Sequence, residues 1–301
     1  MAIEQLERAA VGRPITRVGV SLFPVYLHGA QPIDIATSSD GLEISELEDA
    51  DVPTLTVTNR DLRPLLLVEG ETVVGGQQNR TLNVSVLVPA GATIAVPVSC
   101  VEAGRWGGRF DFAMGRTYTT RRVRRTKQAT VAENVRHHAA KATDQSAVWS
   151  SIDFELDRLD AHNPSAAFHA AESLIDDGGH DLGRAVDELV AGGPLPGQCG
   201  VVVSHGSRVV AAEILASPEL FRASWEPLTR ATLLDAPIEV KGRPSATRAL
   251  RFLNRLATGQ QVEADGVGLG REVHVRTSRL VGQALILDDR LLHASAFALA
   301  A

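Results

Sequence analysis

The chain has 301 residues with a formal net charge of −6, 44% of them hydrophobic and 22% charged. That length can bury a sizeable core, and the balance excludes wholesale disorder and a general nucleic-acid coat, which is ordinarily basic. Cys100 and Cys199 are the only cysteines, too few for a disulfide scaffold or a four-cysteine zinc site, so two free thiols is the simpler expectation.

Residues 1–11 carry Glu4 and Glu7 and lack the apolar core of a signal peptide, and no run reaches the ~18 apolar residues that span a bilayer. A cytoplasmic protein is expected. Residues 17–26 (RVGVSLFPVY) and 54–58 (TLTVT) are rich in β-branched residues and read as strands. Residues 65–68 (LLLV) form an apolar run, as in a strand buried on both faces, which ends at Glu69, Gly70 and Glu71 before Gly75 and Gly76 turn the chain. Residues 82–88 (LNVSVLV) read as another strand, and residues 93–100 (TIAVPVSC) as its return. Pro97 removes a backbone donor, which predicts an edge or a bulge there.

Further along, residues 129–149 are Ala-rich without Pro or Gly and predict a helix. Helices are also expected over 165–175, 182–190, 218–234 and 245–258. A hairpin is expected from 199–204 and 208–215 around His205 and Gly206, where His205 has a turn role. Strands follow at 272–277, 280–287 and 291–298, with Asp288 and Asp289 in a tight turn. This order predicts an α+β fold. It has a β-rich N-terminal lobe (residues 14–110, an antiparallel sandwich or roll), a mainly helical middle (111–196) and a mixed α/β part (197–301). All three pack as one compact domain over 14–301.

Charge is unevenly placed. Residues 33–71 hold ten acids against Arg60 and Arg63, and residues 105–141 hold ten bases against Asp111 and Glu133. The plain reading is that these blocks face solvent or each other; the sharper one is that the basic block gathers an anionic ligand.

The densest polar cluster runs from Glu69 to Arg80, and a second, from Ser99 to Trp106, follows the Pro97 strand. On an extended chain Glu69 and Glu71 would share a face, because side chains alternate with period two, and a carboxylate pair suits general acid–base work or hard-metal binding. Gln78, Asn79 and Arg80 add amides and a guanidinium that read hydroxyls and phosphates, and Gly76 would let a ligand approach the backbone. Glu102 near Arg105 suits a ligand-orienting or structural ion pair, and Trp106 can stack on a base or sugar. Cys100 has no fixed-spacing His partner and reads as a buried apolar residue rather than a nucleophile. The nine histidines show no metal spacing, and GxGxxG, GxxxxGK[ST] and GxSxG are all absent. No metal ligand and no cofactor is legible.

The strings LLLVEGETVVGGQQNRTLNVSVLVPAG (residues 65–91) and PVSCVEAGRW (residues 97–106) resemble the ARG- and rhodanese-phosphatase-superfamily-associated protein domain. CGVVVSHGSRVVAAEILASPELF (residues 199–221) looks like that family's second half. The motif positions present are Glu69, Glu71, Gly76, Gln78, Asn79, Arg80, Asn83, Ser99, Cys100, Glu102, Arg105 and Trp106. The resemblance implies a place beside ADP-ribosylglycohydrolases in NAD- or ADP-ribose-linked metabolism.

Two readings follow. In one the protein processes an ADP-ribose- or NAD-derived nucleotide or a sugar phosphate, with Glu69, Glu71 and Glu102 as catalytic carboxylates and Gly76, Gln78, Asn79, Arg80, Arg105 and Trp106 binding the ligand. In the other it is a non-catalytic ligand- or partner-binding module using the same surface. The expected partner is a small anionic nucleotide or sugar phosphate, with no membrane, nucleic acid disfavoured and room for a homo-oligomer through the Pro97 strand.

Overall fold

The computed structural model describes residues 3–30, 33–37, 39–46, 53–104, 111–161, 165, 167–176 and 181–299. A short helix, α1 (Glu4–Glu7), precedes β1 (Ala10–Val11), β2 (Ile15–Arg17) and β3 (Val20–Tyr26). One strand is predicted over residues 17–26; instead Val18 and Gly19 take φ values of 41° and 80°, which folds β2 back onto β3.

The next strands are β4 (Leu42–Ser45), β5 (Thr54–Asn59), β6 (Leu65–Leu67), β7 (Thr72–Val74), β8 (Arg80–Leu82), β9 (Val86–Val88), β10 (Thr93–Cys100) and β11 (Ala113–Met114). Six of them form a sheet in the order β11-β7-β8-β10-β5-β4, while β6 and β9 pair as a ribbon whose residues are all buried, as the LLL and VLV runs require. The strand predicted over 82–88 is divided by a bend at 83–85. The bend is held by Asn83, whose Nδ2 donates to the Lys141 carbonyl at 3.3 Å and whose Oδ1 accepts from Ser99 Oγ at 2.6 Å. Pro97 does not mark an edge. β10 lies inside the strand order and changes partner at Pro97, pairing with β5 through Thr93–Pro97 and with β8 through Val98–Cys100. The proline's missing donor falls at that change.

Helices α2 (Arg121–Arg136), α3 (Gln145–Leu159), α4 (Ser173–Asp176), α5 (Asp181–Gly192), α6 (Pro218–Leu234) and α7 (Ala246–Thr258) follow, with a 3-10 turn over Phe168–Glu172. The basic run is therefore the start of α2. The helix predicted over 129–149 is two helices: His138 takes φ 55°, and Asp144 caps α3 by accepting from the Ser146 and Ala147 N–H groups. The helix predicted over 165–175 is the 3-10 turn and α4.

Last come β12 (Gly200–His205), β13 (Arg208–Leu215), β14 (Gln261–Asp265), β15 (Arg271–Arg276), β16 (Leu280–Leu287) and β17 (Arg290–Ala298). They join β1–β3 in a nine-stranded antiparallel sheet ordered β1-β3-β12-β13-β17-β16-β15-β14, with β2 on β3. The fold is α+β, and its first strands belong to the same sheet as its last. β12 explains how the layers form: Val201 and Val203 face the core shared with α5 and α6, while Val202 between them faces the core shared with α7. Period-two alternation on an apolar strand thus buries both faces of the sheet. No helix among the described residues is long and apolar enough to cross a membrane.

Candidate functional site

The site begins on α2. Helical spacing puts Arg124, Lys127 and Gln128 on one buried face, continued by Val131, Ala132 and Val135. A charged stretch that reads as solvated in sequence is thereby pushed between the front strands and the large sheet. Arg124 grips Glu213 of β13 with both terminal nitrogens, at 2.9 and 3.0 Å, and donates from Nε to Glu69 Oε2 at 3.0 Å. Lys127 Nζ lies 3.2 Å from Glu69 Oε1 and donates to Thr81 Oγ1 at 3.0 Å. Gln128 Nε2 donates to Glu69 Oε2 at 3.1 Å and to Ser295 Oγ at 2.7 Å.

A chain of hydrogen bonds closes the circuit. Ser85 Oγ accepts the Glu69 N–H at 2.9 Å and lies 2.7 Å from His293 Nδ1. His293 Nε2 lies 2.6 Å from Glu213 Oε1. All these side chains are buried. Ser, His and Glu in line resemble a nucleophile relay, but Ser85 has no surface to offer a substrate, and the line holds Glu213 against Arg124. Burial pushes the Glu213 carboxyl up, and Arg124 with His293 more than reverses this, leaving it below the usual range. Burial pulls Arg124 down, and Glu213 and Glu69 outweigh that, so its charge is secure. Burial also lowers Lys127, to about 8 despite Glu69.

Glu71 stands apart from this network. The chain turns at Gly70, which takes φ +91°, and the Glu71 N–H closes the turn on the Val68 carbonyl at 3.1 Å. The shared face predicted for Glu69 and Glu71 on an extended chain is therefore not formed: Glu69 enters the network while Glu71 meets Tyr118. The Tyr118 hydroxyl donates to Glu71 Oε1 at 3.1 Å. Glu71 as a residue is only partly buried, but its Oε2 is shielded from solvent and has no hydrogen-bond partner. Glu71 is one of the residues that line a cavity of about 160 Å³ whose walls include Leu66, Val68, Leu215, Leu220 and Pro227. Burial raises the Glu71 carboxyl to about 7, against smaller opposing effects of the Val68 backbone, Tyr118 and Arg124. Tyr118 is pushed well above its ordinary value, first by burial and then by Glu71.

The remaining predicted residues cluster on the other side of the β7–β8 hairpin. Thr81 faces Lys127, so its strand neighbour Arg80 faces away. Arg80 Nη1 donates to Gln78 Oε1 at 3.3 Å, Gln78 Nε2 to the Glu102 carbonyl at 3.1 Å, and the Asn79 N–H to Glu102 Oε2 at 3.3 Å. Asn79 Nδ2 lies 3.3 Å from His169 Nδ1. Gln78, Asn79, Arg80 and Glu102 are brought together as predicted, but all are buried. The approach predicted at Gly76 is filled: a Cβ there would lie 2.2 Å from the Phe112 ring. Cys100 is buried and its thiol is raised by burial, so it is no thiolate nucleophile. Arg105 and Trp106 lie outside the described residues.

Among the described residues, several bases of the block pair with carboxylates inside the fold. Arg116 pairs with Glu226, Arg121 with Asp235, Arg122 with Glu155 and Lys141 with Glu272. The sequence presents Arg124 and Lys127 only as members of a basic block that could gather an anionic ligand, and it does not single out Ser85, Tyr118, Glu213 or His293 as site members. The signal for two of them was present: Glu213 and His293 are lone ionisable residues inside apolar strands, VVAAEIL and LLHASAFA. Among the described residues no group of three or more His, Cys, Asp or Glu is placed to hold a metal ion.

Comparison with curated proteins and with solved structures gave no match. The family model for the ARG and Rhodanese-Phosphatase-superfamily-associated Protein domain matches residues 8–297, which takes in both sheets, α2 and every side chain of the Glu69–Arg124 network. The chain belongs to that family.

Proposed function

We propose that the protein is a general acid–base catalyst whose working group is the Glu71 carboxyl. One observation carries this: Glu71 is among the residues lining a cavity, and its carboxyl is raised to about 7, with one oxygen held by Tyr118 and the other shielded from solvent without a hydrogen-bond partner. Near neutral pH such a group is divided between its two forms, so it can both give and take a proton. Glu69 and Glu102 do not share this role, because their carboxylates are buried in pairs with Arg124 and the Asn79 N–H. Arg124 contacts the space behind Gly70 and places a fixed positive charge near Glu71, which tempers the rise in its pKa.

The substrate class is an ADP-ribose- or NAD-derived nucleotide or a sugar phosphate. It is supported by the family resemblance and by a name that associates the family with ARG and rhodanese–phosphatase proteins. A cavity of about 160 Å³ holds one ring or a short polar group, well below the usual volume for a whole nucleotide. A ribose or its substituent would enter, and the remainder would stay outside.

A non-catalytic binding module is the second reading. It is favoured by the burial and mutual hydrogen bonding of Gln78, Arg80 and Glu102, which leaves Glu71 and Tyr118 at the cavity with the hydroxyl residues Thr37, Ser39 and Ser224. Turnover and thermal-shift measurements with NAD, ADP-ribose and ribose phosphates separate the two. The catalytic reading expects a rate with an inflection near pH 7, reduced at least a hundredfold in Glu71→Gln while ligand-induced stabilisation persists. Stabilisation without turnover would favour the binding module, and neither effect would remove both.

A further inference from the structure

The arginines of α7 behave unlike those of α2. Arg248, Arg251 and Arg255 follow one another by three and four residues, so they share one helix face, and the helix sequence ATRALRFLNRLAT contains no acid. Arg208 at the start of β13 and Arg279 just before β16 converge on the same place. None of these five makes an ion pair with a carboxylate among the described residues. Arg248 donates from Nη1 to the Ser207 carbonyl at 2.7 Å, and that is a neutral partner. Like charges at this helical spacing repel, and a cation in the first turn also opposes the helix dipole. A fold that pairs Arg116, Arg121, Arg122 and Arg124 with carboxylates has left five arginines around one pocket without such a partner among the described residues.

They enclose a cavity of about 430 Å³, within the range of small-molecule sites. Its floor is apolar, formed by Val209, Phe252, Ala298 and Leu299. Guanidinium forks match phosphate oxygens bidentately, and an apolar floor suits a ring or an aliphatic body rather than a bare ion. We propose that this pocket binds a multiply phosphorylated small molecule of the nucleoside di- or triphosphate class, with its phosphates on the arginines and its uncharged body on Phe252. The pocket is separate from the Glu71 cavity: Arg208 and Leu215 stand at opposite ends of β13, on the order of 20 Å apart. It does not depend on the acid–base reading.

The test is equilibrium binding to the full chain by titration calorimetry, with ATP, inorganic tripolyphosphate, a short DNA duplex and anionic phospholipid vesicles as probes. ATP should bind saturably at one site, and tripolyphosphate at least threefold more weakly because it has no body for the apolar floor. Arg251→Glu with Arg255→Glu should weaken ATP at least tenfold. Arg251→Gln with Arg255→Gln should do the same in direction, and serves if charge reversal disturbs the fold. Arg251→Gln with Arg255→Gln should leave any turnover at the Glu71 cavity unchanged, since neither arginine lines that cavity, which separates failure here from failure of the acid–base reading. No saturable ATP binding, or binding untouched by either double variant in folded protein, would overturn the proposal. So would duplex or vesicle binding that exceeds ATP binding and is lost in the same variants, since the patch would then serve a macromolecular surface.

Discussion

At the scale of single residues, Glu71 and Gly70 make the sharpest demands. The Glu71 carboxyl holds its proton to about pH 7 in the fold but loses it near 4.5 when unfolded. Between those values the native state binds more protons than the unfolded state, so this group's contribution to stability falls as pH rises from about 4.5 to 7 and is level above. The full difference is on the order of 3 kcal/mol as an upper bound. Glu71→Gln removes the titration, so its melting temperature should gain on the parent by several degrees between pH 5 and pH 8. An equal gap at both values would show that the carboxyl titrates normally. Lys127 has the opposite sign and a different window: its folded pKa of about 8 lies below the unfolded value, so its burden is relieved only as pH rises above 8.

Gly70 is required twice over, by its φ of +91° and by Arg124, whose Nε would lie 2.3 Å from an added Cβ. The guanidinium cannot swing aside without releasing Glu69 and Glu213. Gly70→Ala should therefore cost at least about 3 kcal/mol, well beyond the ~1 kcal/mol of backbone strain alone. Denaturant unfolding measures it, and a cost near 1 kcal/mol would mean that Arg124 is not pinned.

At the scale of elements, α2 acts as a charged wedge between two sheets. Arg124→Met leaves Glu69 and Glu213 buried without their partner, and a loss of about 3–5 kcal/mol is expected. Arg116→Ala, which breaks exposed pairs with Asp176 and Glu226, should change stability by no more than about 0.5 kcal/mol. Comparable losses in the two variants would show that the buried network carries no special weight. The β16–β17 turn offers a gain: Asp288 and Asp289 both take positive φ, at 48° and 60°, as a two-residue hairpin turn demands. Asp289→Gly should stabilise by roughly 0.5 kcal/mol, read as a higher denaturant midpoint at unchanged slope.

At the scale of the whole molecule, the nine-stranded sheet ties the first strands to the last. β3 hydrogen-bonds β12 along its length, from Val20 opposite His205 to Val25 opposite Gly200. A truncation beginning at residue 27 would expose that edge of β12 and remove Ile3, Leu6, Ala9, Phe23 and Val25 from the core that α7 covers. It should be unfolded or aggregated by circular dichroism and gel filtration. A monomeric, cooperatively folding truncation would show that the N-terminal strands are an appendage.

How much of this was legible follows from where the deciding forces act. Strong local signals survived intact: the alternating strand over Thr54–Asn59, the LLL run, the hairpin at 200–215, helix α6 behind its Ser217 cap and Pro218, and the paired aspartates before β17. Breaks inside elements did not show, because Val18 and His138 take positive φ that their residue types rarely adopt, and Asn83 is held by the distant Ser99 and Lys141. In the candidate site, Gln78, Arg80 and Glu102 come together because β8 and β10 pair in register and bring two separate polar stretches of sequence side by side. The separation of Glu71 from Glu69 was not legible, because it depends on Arg124, 55 residues from Glu69, filling the space under Gly70.

Composition, periodicity and turn chemistry therefore determined by themselves the α+β class, most strands and helices, the buried cysteines and the polar density between Glu69 and Glu102. Tertiary structure alone decided which charges are spent. Arg124 and Lys127 look no different in sequence from Arg251 and Arg255, yet the first pair is buried against carboxylates from β13 and the Glu69 turn while the second is left facing its own kind. The reason is that a charge's role is set by the partners and dielectric around it, and those come from elements far apart along the chain.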